Sequence, residues 1–224
     1  MYRILKHNWE ERKKIFFSSD WHIFHDPKWD VPIWESRGYY NAEDASERIL
    51  QKVNERVPED SILYYLGDMF LNATDEQCIK WLEGVKCKDI RLIFGNHESN
   101  MYRIYKQDIE REYGFVDREV YPHKSHTIPN ITFLGNHQEI TIGKKSIVLN
   151  HFSIHSWNGM GSRKSWQIHG HSHNADVTRN PDSPINRTID VGWDWKKDVW
   201  SFEEIEEVMS VKTFVSYDHH GKDF

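Results

Sequence analysis

The chain has 224 residues, a formal net charge of -6 and two cysteines, Cys78 and Cys87. The acidic balance argues against a protein that holds bulk nucleic acid through basic patches. Two cysteines do not make a disulfide framework, no apolar run approaches the roughly 18 residues of a membrane span, and the N-terminus lacks a signal-peptide core. The expectation is a cytoplasmic protein with one α/β domain over residues 1–224, its core spanning residues 15–210.

Residues 1–14 are charged and predict either an edge element or a loose arm. Lys14-Ile15-Phe16-Phe17-Ser18 is the first buried strand, running into Ser19-Asp20-Trp21-His22. Residues 24–40 contain Pro27, Pro32, Gly38 and several aromatics and predict a loop. Asn41 is an N-cap for a helix over residues 42–56, with Ala45, Ile49, Leu50 and Val53 on one face. Ser61 to Leu66 is the second strand, ending in Gly67-Asp68. Thr74-Asp75-Glu76-Gln77 is a capping box for a second helix that stops near Gly84. Ile90 to Phe94 is the third strand, ending in Gly95-Asn96-His97-Glu98, and a helix from Met101 to Tyr113 stops at Gly114. The alternation of strand and helix points to a largely parallel sheet.

The second half reads differently. Ile131–Leu134, Glu139–Ile142 and Ser146–Leu149 are short strands, the last two joined by a turn at Gly143-Lys144-Lys145. Trp166-Gln167-Ile168 and Asn186 to Val191 add two more, and Ser201-Phe202-Glu203-Glu204 caps a final helix. The two halves predict two sheets of one domain.

The chemistry is concentrated just past the strands. The strand ends deliver Asp20 and His22, Asp68, Asn96, His151, and His171 and His173. In open α/β sheets the ligand crevice lies at the carboxyl ends of the strands. Oxygen and imidazole donors without thiolate suit Mn, Fe, Zn or similar ions. Seven such donors exceed one four-coordinate site. They fit two ions about 3.5–4 Å apart sharing a bridging carboxylate, the arrangement used for in-line displacement at phosphorus. Asp20-x-His22 and His171-x-His173, if extended, each aim two side chains to one face and could span both positions.

The order Asp-x-His, Gly-Asp, Gly-Asn-His-Glu, His and Gly-His-x-His resembles the calcineurin-like metallophosphoesterases. Val148 to Phe152, Ser156 to Gly159 and Asp190 to Asp194 further resemble a compact branch found in bacteria and their phages. The resemblance implies a two-sheet β-sandwich flanked by helices, in four layers. It implies one metal held by Asp20, His22, Asp68 and His173, and a second held by Asp68, Asn96, His151 and His171, with Asp68 bridging. In the implied mechanism a hydroxide between the ions attacks phosphorus, and His97 stabilises the transition state or protonates the leaving oxygen. Glu98 orients His97 or a neighbouring loop. The implied cofactors are two divalent ions, manganese first, with iron, zinc or nickel as alternatives. The implied substrate is a small phosphoester, a nucleotide or a short nucleic acid, with no membrane partner.

The chain departs from the pattern of protein Ser/Thr phosphatases, which follow Gly-Asp with an aspartate and an arginine. Here the run is Gly67-Asp68-Met69-Phe70. That departure and the aromatic segment Pro27 to Arg37, with Trp29 and Trp34, lean the expectation toward a phosphodiesterase. A phosphomonoesterase and a non-catalytic metal-binding interaction protein are the alternatives. Other residues have plainer roles available. Gly135-Asn136-His137 repeats the Gly-Asn-His motif but reads as a turn before a hairpin. His169 could support the metal ligands from behind, yet a packed or solvated histidine is simpler. His25 and His155 could touch substrate phosphate. His123, His126, His219 and His220 read as solvated. Trp21, Trp29 and Trp34 could stack a nucleobase, although packing is simpler. Arg37 could bind phosphate or make a surface ion pair. Cys78 reads as a core residue.

Overall fold

The computed structural model describes residues 4–28, 31–115, 119–161, 165–173, 175 and 187–213. In chain order it has β1 Leu5–His7, a 3-10 helix Trp9–Lys14, β2 Ile15–Ser18, α1 Ile33–Ser36, α2 Ala42–Arg56, β3 Ile62–Tyr65, α3 Asp75–Glu83, β4 Asp89–Ile93 and α4 Ser99–Tyr113. There follow β5 His123–Lys124, β6 Ile131–Gly135, β7 His137–Ile142, β8 Lys145–Asn150, β9 Trp166–His169, β10 Thr188–Asp190, α5 Trp193–Lys196, β11 Trp200–Ser201 and α6 Phe202–Val211.

Two mixed sheets form an α/β sandwich. The six-stranded sheet runs β11-β2-β3-β4-β6-β5, and its four central strands are parallel. The five-stranded sheet runs β1-β7-β8-β9-β10, with β7 and β8 as an antiparallel hairpin and the other pairings parallel. Strand alternation explains the two cores. Phe16, Leu63, Tyr65, Ile90 and Leu92 face outward, where Ile49 and Val53 of α2, Cys78 and Leu82 of α3 and Ile104 and Ile109 of α4 cover them. Ile15, Phe17, Tyr64, Leu66 and Ile93 face inward against Ile140, Ile147, Leu149 and Ile168 of the other sheet, with Phe202 and Ile205 of α6. Both faces of these central strands are buried, which is why they read as continuous apolar runs.

The helix starts follow their caps. Asn41 accepts from the Asp44 amide, and Thr74 and Ser201 form reciprocal capping boxes with Gln77 and Glu204. The N-terminal segment is an edge element, since β1 pairs with β7. Some expectations need correction. The segment predicted as loop over residues 24–40 contains the one-turn helix α1. The two-residue strands β5 and β11 and the short helix α5 were too brief to leave a periodic signal. His123 is buried, not solvated, because β5 pairs with β6 and turns its ring under α4. Trp29, Asn186, His219 and His220 lie outside the described residues. Among the described residues, no helix is long and apolar enough to cross a membrane.

One carboxylate fixes α4 to the sheet edge. Asp108 is fully buried and accepts from the Ser125 and Thr127 hydroxyls and from the His126 and Thr127 amides. Burial alone would raise its pKa, but these donors outweigh it and hold the carboxyl below its ordinary value. A lowered folded-state pKa means that the contribution is present above the unfolded value and fades as the pH falls through the folded one. Asp108→Ala is therefore expected to cost about 1–3 kcal/mol at neutral pH and to flatten the acid side of the stability profile. Urea unfolding from neutral to acid pH checks this; parallel wild-type and variant profiles would contradict it.

Candidate metal centre

The parallel register lines up the strand ends. Ser18 lies opposite Tyr65, and Tyr65 opposite Leu92. The loops after β2, β3 and β4 therefore leave side by side. Leu149 lies opposite Ile168, so the loops after β8 and β9 leave together from the second sheet. All the predicted site residues sit on these loops.

The local backbone is not extended. Asp20, His22, Asp68, His171 and His173 have φ of 58°, 49°, 59°, 68° and 46°, in the left-handed region that costs an ordinary residue roughly 1–2 kcal/mol. The expectation of extended i, i+2 pairs is thus corrected: the strands stop at Ser18 and His169, and each loop curls. Asp20 and His22 join the same cluster, while His171 and His173 go to different ones. Two glycines let the loops approach. A Cβ on Gly95 would lie 2.1 Å from Asp68 Oδ1, and one on Gly170 would lie 2.5 Å from Asp20 Oδ2.

Two groups of side chains result. Asp20, His22 and His173 form the first, and Asp68, His151 and His171 the second, with the donor atoms of each group within 4.8 Å of one another. In the first, His22 Nε2 and His173 Nε2 are 3.2 Å apart, and Asp20 Oδ1 lies 3.9 Å and 3.8 Å from them. In the second, His151 Nε2 lies 3.4 Å from Asp68 Oδ2 and 2.9 Å from Asn96 Oδ1. The groups adjoin, because Asp68 Oδ2 is also 3.9 Å from His22 Nε2. The exposed His97 ring stands at the lip, 5.7 Å from the His22 ring, and its amide donates to Asp68 Oδ1 at 2.8 Å.

Tautomers follow from the partners. His151 Nδ1 lies 2.7 Å from the Leu66 carbonyl, which can only accept, so Nδ1 carries the proton and Nε2 turns its lone pair to the site. His173 Nδ1 lies 2.6 Å from Asp194 Oδ2, with the same consequence. Asp20 Oδ1 is buried with no hydrogen-bond partner, facing His22 Nε2 and His173 Nε2. A buried carboxylate oxygen and two imidazole lone pairs converging without donors is an arrangement that a cation resolves. Ligand atoms held about 2.0–2.2 Å from one ion stand roughly 3–3.5 Å apart. The residues therefore fit bound metal.

The two carboxylates differ electrostatically. Burial pushes Asp20 up to about 6, against the pull of His173 and His151. Burial also acts on Asp68, but its contact with His151, the His97 amide and the nearby His22 outweigh it and hold it at about 2. Burial, reinforced by His173, lowers His22 to about 3, which keeps it neutral and able to ligate. Glu98 is pushed up to about 8 by burial, while Oε1 accepts from the Met69 amide at 2.6 Å. It braces the neighbouring loop, one of the two roles expected for it.

Several residues differ from expectation. Arg37 is neither a phosphate binder nor at the surface. It is buried, donates from Nε and Nη2 to Asp194 at 2.7 and 2.9 Å, and donates from Nη1 and Nη2 to the Trp21 and Asp20 carbonyls at 2.6 Å each. Asp194 carried no expected role, yet it fixes His173. Arg37 and His173, overcoming burial, hold its carboxyl well below the usual range. The signal was available: Asp194 follows β10 as the other site residues follow their strands. Trp21 is fully buried against Tyr65, Trp81 and Trp193, so it stacks no base. His169 is fully buried with Nδ1 2.9 Å from the Gly170 carbonyl. His25 accepts from the Ile33 amide at 3.1 Å, and His155 is exposed. Gly135-Asn136-His137 carries the chain from one sheet to the other, from β6 into the β7–β8 hairpin.

Comparison with known proteins bears out the fold and the family. The chain is similar to the crystal structure of the protein of unknown function AQ665 from Aquifex aeolicus, at a TM-score of 0.55 and 18% identity, over 87% of this chain and 98% of that one. At that identity the likeness is one of fold. A comparison with curated proteins finds no match. A family model described as calcineurin-like phosphoesterase matches residues 13–221, nearly the whole sequence. The chain belongs to the calcineurin-like phosphoesterase family.

Proposed function

We propose that the chain is a dinuclear metal-dependent phosphoesterase that hydrolyses a P–O bond without a covalent enzyme intermediate. Its preferred substrate is a phosphodiester of nucleotide or short nucleic-acid type. The observation that carries this reading is the position of Asp68. One of its oxygens lies 3.9 Å from His22 Nε2 and 3.4 Å from His151 Nε2, so a single carboxylate faces both ligand groups. That suits a bridge between ions about 3.5–4 Å apart. The donor set suits manganese first, with iron, zinc or nickel as alternatives.

Asp20, His22, Asp68 and His173 would hold one ion, and Asp68, Asn96, His151 and His171 the other. When bound, the ions supply the positive charge that polarises a phosphoryl group and makes water a competent nucleophile near neutral pH. The remaining work falls to the chain. The His97 amide bond to Asp68 sets the loop so that its exposed ring faces the substrate side, where Nδ1 or Nε2 can protonate the departing oxygen. Asp194 keeps the proton on His173 Nδ1, and Arg37 keeps Asp194 in place.

Two observations support the diester preference. Met69 and Phe70 are buried, with Phe70 against Trp81, so the run after Gly67-Asp68 turns into the core and brings no arginine to a phosphate dianion. A groove of about 440 Å³ beside the site is lined by Ile33, Ser36, Arg37, His173, Asp194 and Lys197. It offers room for a second substituent on phosphorus.

The first experiment is metal content of the purified protein with parallel hydrolysis of bis-p-nitrophenyl phosphate and p-nitrophenyl phosphate. About two ions per chain and metal-dependent turnover of the diester are expected; turnover of the monoester alone would make the chain a phosphomonoesterase. His97→Ala is expected to keep both ions and lose about 100- to 10,000-fold in turnover, and unchanged turnover would remove His97 from the chemistry. Asp194→Asn is expected to weaken metal binding about 10- to 100-fold by releasing the His173 ring. Titration calorimetry reads this directly, and equal affinity would show that Asp194 serves only packing.

A further inference from the structure

A second set of donors lies away from the centre, where α4 ends against the edge of the six-stranded sheet. Glu112, from the last turn of α4, places Oε2 2.8 Å from His126 Nε2 and 3.8 Å from His123 Nδ1. The donor atoms of all three residues lie within 4.8 Å of one another. We propose that Glu112, His123 and His126 form a peripheral binding site for one divalent transition ion of the zinc class, separate from the centre formed by the strand-end loops.

The donor types favour such an ion. Two imidazoles and one carboxylate are a common zinc set that leaves a fourth position for water. Donors of a tetrahedral zinc, at about 2.0–2.2 Å from the metal, stand roughly 3.4 Å apart. The observed 2.8 Å and 3.8 Å straddle that value, so small torsional changes in the exposed Glu112 and His126 side chains bring them onto one ion with the buried His123.

The backbone under the donors is already fixed. Asp108, one helical turn before Glu112, accepts from the His126 and Thr127 amides and from the Ser125 and Thr127 hydroxyls. The loop bearing His126 is thus clamped to the helix bearing Glu112. His123 sits in β5, paired with Phe133 of β6, and its ring packs 5.9 Å from Tyr105.

The position gives the site a role. α4 begins directly after Gly95-Asn96-His97-Glu98, and Glu112 lies about 20 Å farther along its axis. An ion joining Glu112 to β5 and the next loop would pin the far end of the helix whose near end carries His97.

The test is equilibrium dialysis of the folded protein against a series of free zinc concentrations. Zinc per chain is counted for wild type, His126→Ala and Glu112→Gln. Neither substituted residue belongs to the strand-end centre. Wild type is expected to bind one more zinc per chain than His126→Ala, with affinity for that zinc lowered at least about 100-fold in the variant, more than loss of an outer hydrogen-bond partner gives. The part of the zinc-induced rise in Tm that depends on this ion should vanish as well, while diester hydrolysis at saturating metal is unchanged. Circular dichroism confirms the fold. Should His126→Ala not fold, Glu112→Gln supports the same comparison. Equal zinc counts in wild type and variants overturn the proposal, and so does an extra zinc taken up only at millimolar concentrations, which is an adventitious ion only. The count differs between proteins at the peripheral residues alone, so the result stands whether or not the strand-end centre proves dinuclear.

Discussion

Backbone amides that donate to buried carboxyl groups hold the centre together. The His171 amide donates to Asp20, the His97 amide to Asp68 and the Met69 amide to Glu98. Each bond joins two different loops. The first crosses from one sheet to the other, and the other two tie the loop after β3 to the loop after β4. A buried carboxylate without such donors would be costly, so the loops curl until their amides meet the carboxyl oxygens. The left-handed residues arise from this demand. Gly95 and Gly170 allow the close approach, since any Cβ there would occupy the carboxylate's own position.

The same bonds leave the centre with unbalanced donors. Asp20 keeps one oxygen unpartnered, and the imidazoles around it aim lone pairs inward. Arg37 stays one layer back, where it is consumed by Asp194 and two carbonyls. A guanidinium facing the carboxylates would have filled the role of a cation and closed the site. Arg37 stabilises the support for His173 instead, and removing one partner of such a buried pair typically costs about 3–5 kcal/mol.

Much of this was legible in the sequence because the signals are local. Continuous apolar runs marked β2, β3 and β4, and the caps at Asn41, Thr74 and Ser201 marked three helices to within a residue or two. The donors could be found because they follow strands. What was hidden depends on contacts distant in sequence. Nothing local distinguishes Arg37 from a surface arginine; its burial is set by Asp194, 157 residues later. His123 reads as polar, but a two-residue strand and the ring of Tyr105 enclose it. The curl of the loops was missed because it is dictated by hydrogen bonds across loops and not by local propensity.

The wide sequence separation of the donors also orders events in time. The segment up to Ile93 supplies Asp20 and Asp68, but the His171 amide that completes the setting of Asp20 comes 151 residues after it. At ribosomal rates that interval is roughly 8–30 s. For most of it the emerging polypeptide carries Asp20 without His151, and for all of it without His171, His173 or Asp194. The centre comes into being only when the second sheet docks, so each chain matures its chemistry late, after most of its scaffold has been translated.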